Sequence, residues 1–150
     1  MERKIFIGGD HAGFNLKETV KPWLEKKGYQ VADLGPTIYN SQDDYPDYVI
    51  PLAKKVSKNK NSLGIVLAGS GQGEAIAANK IKGIRAVVYY GGPTKILKLS
   101  KQHNNANILS LGARFLSKTE TKKAINIWLK EKFTEEIRHK RRIRKIERNL

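Results

Sequence analysis

Short apolar runs alternate along this chain of 150 residues with longer segments in which apolar positions recur every three or four residues. The short runs predict strands at Lys4–Gly8, Gln30–Leu34, Leu63–Ala68, Arg85–Tyr89 and Ile108–Leu111. The third is apolar at successive positions, so both of its faces should be covered and the strand should be central. The longer segments predict helices at Phe14–Lys27, Pro46–Lys58, Glu74–Lys80, Thr94–Gln102, Lys118–Lys132 and Thr134–Leu150. Such alternation is the pattern of an α/β domain with a five-stranded parallel sheet. Two prolines are awkward in it. A mid-helix proline costs about 3 kcal/mol, so Pro22 should kink or break the first helix, and Pro51 repeats the problem one turn after Pro46. The last helix is charged apart from a narrow edge of Ile143, Ile146 and Leu150, which suits packing on another surface, a second subunit among the candidates. No internal repeat, linker or domain boundary interrupts residues 1–150, which read as a single domain.

Open α/β sheets bind ligands beyond the carboxyl ends of their strands. Asp10-His11 follows the first strand, and Gly69-Ser70-Gly71-Gln72-Gly73 follows the third. His103-Asn104 instead precedes the fifth. It can join the others only if the helix before it returns over the same edge, or if a neighbouring subunit supplies it.

The glycine loop carries the strongest signal. Alternate glycines between a buried strand and a helix let the backbone turn its N–H groups inward, as a nest for a phosphate or a developing oxyanion. The spacing is not a dinucleotide fingerprint, whose third glycine would fall at Glu74, and no Gly-Lys-Ser/Thr follows as in a phosphate-binding P-loop. The residues two places either side of Ser70 are Ala68 and Gln72, which excludes a hydrolase nucleophile elbow. Glu74 stands beside the nest. It is either a carboxylate placed for the helix dipole or a general base, and the two readings demand opposite pKa shifts. His11 and His103 are two of the three histidines, and Asp10 adjoins His11. None of these shows a metal-ligand spacing. Arg138 and Arg142 lie four apart on one helix face and could clamp a phosphate.

Composition narrows the classes further. With no cysteine, thiolate metal sites and cysteine nucleophiles are excluded. The opening apolar stretch Ile5-Phe6-Ile7 is too short for a signal peptide, and no run reaches membrane-spanning length, so a cytoplasmic location is expected. The net charge of +15 raises a polyanion or nucleic-acid binder as a rival reading. Against it, the lysines are scattered, and the dense segment Arg138 to Arg148 has no interleaved aromatic residue for base stacking.

Taken together, Gly8-Gly9-Asp10-His11-Ala12-Gly13-Phe14, Asp44-Tyr45-Pro46, Gly69 to Glu74 with Ile76-Ala77-Ala78-Asn79-Lys80, Gln102 to Asn107, Gly112-Ala113-Arg114 and Arg138 to Ile143 resemble the ribose-5-phosphate isomerase B family, in order and over essentially the whole chain. The resemblance implies a three-layer α/β/α, Rossmann-like domain that interconverts an aldose and a ketose phosphate without metal or cofactor. The family includes isomerases of galactose and allose 6-phosphate, so pentose against hexose stays open. One version of the family has a cysteine as base at the end of strand three, where this chain has Ala68. The other has a glutamate after the glycine loop, here Glu74. The resemblance therefore makes Glu74 the base and His103 the group that opens the sugar ring. It gives the enediolate to the N–H groups of Gly69 to Gly73, with Gln72 in that loop, and a proton relay to Ser70. It assigns sugar positioning to Asp10, Tyr45 and Asn104, and phosphate to His11, Arg114, Arg138 and Arg142. It also implies a homodimer, with pairing into tetramers left open, in which the second subunit lends His103, Asn104 and Arg114, and the helix at 134–150 packs at the interface.

Overall fold

In the computed structural model, which describes residues 3–149, the five apolar runs form one parallel sheet of β1 (Lys4–Gly9), β2 (Gln30–Asp33), β3 (Ser62–Ala68), β4 (Ala86–Tyr89) and β5 (Ile108–Gly112), in the order β2-β1-β3-β5-β4. Alternate residues of β3 feed two separate cores. Leu63, Ile65 and Leu67 pack with α1 (Phe14–Lys26), α4 (Lys95–Asn104) and α5 (Lys118–Lys130) on one face. Val66 meets α2 (Pro46–Lys58) and α3 (Gln72–Asn79) on the other. All seven residues of β3 are buried, as a central strand covered on both sides requires. The result is the three-layer α/β/α arrangement expected from the sequence.

The proline expectation needs correction. Helix α1 runs without a break through Pro22, and α2 through Pro51. Both prolines lie on exposed faces, as do Glu18 and Asp47 four residues before them. The carbonyls that lose a bond therefore face water, which replaces the missing partner.

The last helix also starts later than expected. Thr134 donates its backbone N–H and its hydroxyl to the Gln102 carbonyl, at 3.2 and 2.8 Å, and Glu135 takes a positive φ of 60°. The segment is thus pinned to the end of α4 before α6 (Ile137–Glu147) begins. Helix α6 lies on its own chain: His139 is buried, and Glu147 accepts from Arg85 Nη1 at 2.8 Å and from the Gly83 N–H at 3.1 Å. Ile137 and Ile146 remain exposed and Ile143 half-buried, while Leu150, with Met1 and Glu2, lies outside the described residues. No helix among the described residues is long and apolar enough to cross a membrane.

Two features of this topology position the site. The chain turns one way from β1 to β2 and the other way from β3 onward, so the switch point lies between the carboxyl ends of β1 and β3. Helix α4 returns from the carboxyl end of β4 to the amino end of β5 and stops there. Asn105 closes it at φ 47°, with N–H groups of Asn105 and Ala106 donating to the carbonyls of Lys101 and Ser100, both at 3.0 Å.

Candidate functional site

At the switch point, β3 ends at Ala68 and the glycine loop carries the chain into α3, which starts at Gln72. Gly71 caps this helix at φ 78°, a conformation that side-chain-bearing residues rarely adopt. Its carbonyl accepts the Ser110 hydroxyl at 2.8 Å, which locks the loop to β5. The Ser70 hydroxyl accepts the Gln72 N–H at 3.3 Å. Gly73 leaves room for Tyr45, whose hydroxyl would overlap any Cβ there. The first N–H groups of α3 have no acceptor within the helix, so this end offers the donors and the positive dipole end that an anion needs.

Glu74 occupies that first turn. It is 4 % exposed, and its Oε2 is buried without a hydrogen-bond partner among the described residues. Burial pushes its carboxyl above the ordinary carboxylate range. A backbone hydrogen bond pulls the other way, and the negative Asp10 adds to the rise. The helix dipole alone would lower the pKa, so the raised value shows burial outweighing it, the direction of shift that a general base requires.

Asp10 and His11 stand opposite the loop, beyond β1. Asp10 is 6 % exposed, and one carboxylate oxygen accepts the Ala12 N–H at 2.9 Å. His11 is held by a residue the sequence reading passed over. Asp43 Oδ1 accepts its backbone N–H at 3.0 Å and Nδ1–H at 2.7 Å, which leaves Nε2 as the imidazole's outward nitrogen. The two positions are 32 apart in sequence, and only the path of the chain into α2 joins them. Asp10, His11 and Asp43 bring one ligand atom each within 4.8 Å of one another, the one such trio among the described residues. The bond between His11 and Asp43 already uses two of its groups.

Arg114 requires a correction. It belongs to the same chain's loop, not to a second subunit: following β5, it donates its N–H to the Gly69 carbonyl at 3.1 Å. Its guanidinium lies over Gly69, with Nη1 3.2 Å from where a Cβ would stand.

His103, Asn104, Arg138 and Arg142 form a second group at the opposite edge of the sheet, where α4 ends beside the entry to β4. Asn105 and Asn107, just beyond α4, hydrogen-bond Arg85 there at 2.9 and 2.8 Å. The ring of His103 stacks on His139 with centroids 4.3 Å apart and planes 15° from parallel. Burial, His103, Arg138 and Arg142 together hold His139 below its ordinary pKa, with Glu136 opposing. A neutral His139 can stack on His103 without charge repulsion. Arg138 and Arg142 are exposed on the same helix. Within one chain, then, the structure joins Asp10, His11, Tyr45, the glycine loop, Glu74 and Arg114, and keeps the His103 group apart.

Comparison with known proteins places this arrangement. Residues 5–146 match the family model described as Ribose/Galactose Isomerase. The chain is 43 % identical over 147 residues to a probable ribose-5-phosphate isomerase B of Mycoplasma genitalium, covering 97 % of this chain and 95 % of the relative. It is 38 % identical to the ribose-5-phosphate isomerase B of Mycolicibacterium paratuberculosis, over 93 % of this chain and 87 % of that one. Among solved structures, the Mycoplasma genitalium ribose-5-phosphate isomerase B with bound ribulose-5-phosphate superposes with a TM-score of 0.92 at 42 % identity, over 97 % and 95 % of the two chains.

Proposed function

This chain belongs to the Ribose/Galactose Isomerase family and is an isomerase; from that premise we propose that it interconverts ribose 5-phosphate and ribulose 5-phosphate through a cis-enediolate, with Glu74 as the base. The observation that carries this reading is the buried, unpartnered carboxylate of Glu74 in the first turn behind an anion nest. A group so placed holds its proton less reluctantly than a solvated carboxylate, and can therefore take one from carbon and return it.

The reaction begins with ring opening: His103 passes a proton to the ring oxygen as its bond to carbon 1 breaks, and recovers one from the anomeric hydroxyl as that oxygen becomes the aldehyde. Glu74 removes the proton from carbon 2 of the open aldose, and the electron pair forms the carbon 1–carbon 2 double bond. The N–H groups of Gly69 to Gly73 receive the negative enediolate oxygen, as oxyanion-hole donors do. Gln72 lies in that backbone run, and Ser70 relays hydroxyl protons. Glu74 then delivers its proton to carbon 1, which completes the ketose. Asp10, Tyr45 and Asn104 position the sugar, while His11, Arg114, Arg138 and Arg142 hold the phosphate. No step calls for a metal or cofactor.

His103 and Glu74 lie at opposite edges of one chain, so this mechanism needs two copies. In a two-fold dimer the His103, Asn104, Arg138 and Arg142 group of one copy completes the loop of the other. The exposed Ile137 and Ile146 of α6, and the exposed Tyr90–Phe115 pair beside the loop, with ring centroids 5.9 Å apart, supply apolar surface for such an interface. A single domain working in the cytoplasm as this dimer is the assembly we propose.

Parallel assays of the purified protein with ribose 5-phosphate, allose 6-phosphate and galactose 6-phosphate test the substrate. The highest kcat/KM is expected for ribose 5-phosphate. A hexose phosphate in first place would move the assignment within the family, and no turnover of any would refute it.

A pH profile checks the base. The ionised form of Glu74 reacts, so kcat/KM should fall as pH drops through its elevated pKa, at higher pH than for an ordinary carboxylate. The negative charge of Asp10 contributes to that elevation, so Asp10→Asn should move the acid limb to lower pH whatever it does to the maximum rate. A limb that stays fixed or moves upward would contradict the pairing.

A further inference from the structure

Helix α4 buries a second chemical group that the proposed reaction does not use. Lys101 is 3 % exposed, and its ammonium sits 3.9 Å from the centroid of the Trp128 ring. Among the described residues no carboxylate pairs with it and no acceptor takes its protons. Burying a charge without a counter-charge is costly, and the Trp128 face offsets only part of that cost. Lys101 lines a pocket of about 420 Å³ at the amino-terminal edge of the sheet, the edge that also carries the His103 group and that lies away from Glu74 of the same chain. Arg3, Lys60 and Arg85 line the same pocket together with Asn61, Asn105 and Asn107, and no carboxylate is among the lining residues. Arg85 of this pocket is bound to Glu147. Burial, with repulsion from Arg3 and Arg85, holds Lys101 down to about 7.

We propose that this pocket is a second anion site, distinct from the isomerase site, which takes a small phosphate-type dianion on Lys101 with Arg3 and Lys60 closing over it. Its volume exceeds that of a bare phosphate, and the amides of Asn61 and Asn105 can hydrogen-bond an attached organic group, so inorganic phosphate and a phosphomonoester are the two forms to compare.

The test follows the emission of Trp128, the remaining tryptophan once Trp23 is replaced by phenylalanine. The full chain is titrated with inorganic phosphate and with glycerol 3-phosphate, ionic strength being held constant with chloride. A saturable change is expected with at least one of the two, and tighter binding of glycerol 3-phosphate would assign a role to those amides. Lys101→Met, which keeps the packing on Trp128, should weaken that binding at least tenfold. Arg3→Ala with Lys60→Ala, both at exposed positions, should weaken it several-fold without touching the core. Arg138→Ala with Arg142→Ala should leave it in place, because those residues belong to the proposed isomerase site. An unchanged isotherm in Lys101→Met, a response that follows ionic strength alone, or a signal lost with Arg138 and Arg142 would overturn the proposal. None of these outcomes depends on whether the chain isomerises ribose 5-phosphate, which the sugar panel decides separately.

Discussion

Glu74→Gln should lose isomerisation by two to four orders of magnitude while still binding sugar phosphate with nearly the affinity of the unaltered protein. General-base catalysis is worth about 10²–10⁴ in rate, or about 3–5 kcal/mol of barrier. The amide keeps the size of the side chain and can hydrogen-bond, but cannot accept a carbon-bound proton. Glu74 is 4 % exposed, so a shape-conserving change is essential: alanine would leave a hole beneath the loop and mix folding with catalysis. Removing the charge also relieves the buried, unpartnered oxygen, so thermal stability should hold or rise. The sharper readout is exchange of the carbon 1 hydrogen of ribulose 5-phosphate with solvent, which reports enediolate formation alone. Exchange and isomerisation should disappear together. Retention of either at the full rate would remove Glu74 from the role of base.

His103→Ala should divide those two readouts. Ribose 5-phosphate is mainly a closed ring, whereas ribulose 5-phosphate is open, because the hydroxyl that would close its five-membered ring carries the phosphate. If His103 opens and closes the ring, its loss should depress conversion to and from the aldose by about 10²-fold or more. Hydrogen exchange into ribulose 5-phosphate, which needs the base and the nest, should be much less affected. Equal losses in both would make His103 a general binding residue. The stack with His139, 4.3 Å between centroids, predicts a graded companion: His139→Ala frees the His103 ring and should reduce kcat more than KM.

How much of this could be read from the chain depends on where each determinant lies. The run from Leu63 to Ala68 identified the central strand because both of its faces are apolar, and that is a local property. The glycine loop was equally local, since Gly69, Gly71 and Gly73 adjoin the strand that ends at the switch point. Glu74 was not decided locally. Its helix position and its burial pull its pKa in opposite directions, and only packing, which leaves it 4 % exposed, shows that burial wins. The break expected at Pro22 failed for the same reason, because sequence does not say which face of α1 meets water. Asp43 escaped notice because its partner His11 lies 32 residues away, and nothing in either segment announces the pair. Family resemblance assigned Arg114 to a second subunit, whereas its N–H is bound to Gly69 of its own chain. His103 was legible only as two alternatives, a helix returning over the same edge or a neighbouring subunit, and the direction in which α4 crosses the sheet leaves it at the amino edge, away from the loop of its own chain.

That direction creates the question on which everything else rests, whether one site is made from two copies. A heterodimer of Glu74→Gln and His103→Ala chains, co-expressed with different tags and isolated through both, answers it. If each site joins the loop of one copy to the His103 of the other, one of the two sites in that dimer carries both substitutions and the other carries neither. The heterodimer should then recover about half the activity of the unaltered dimer, although both parent homodimers are nearly inactive. A heterodimer as inactive as its parents would contradict the shared site.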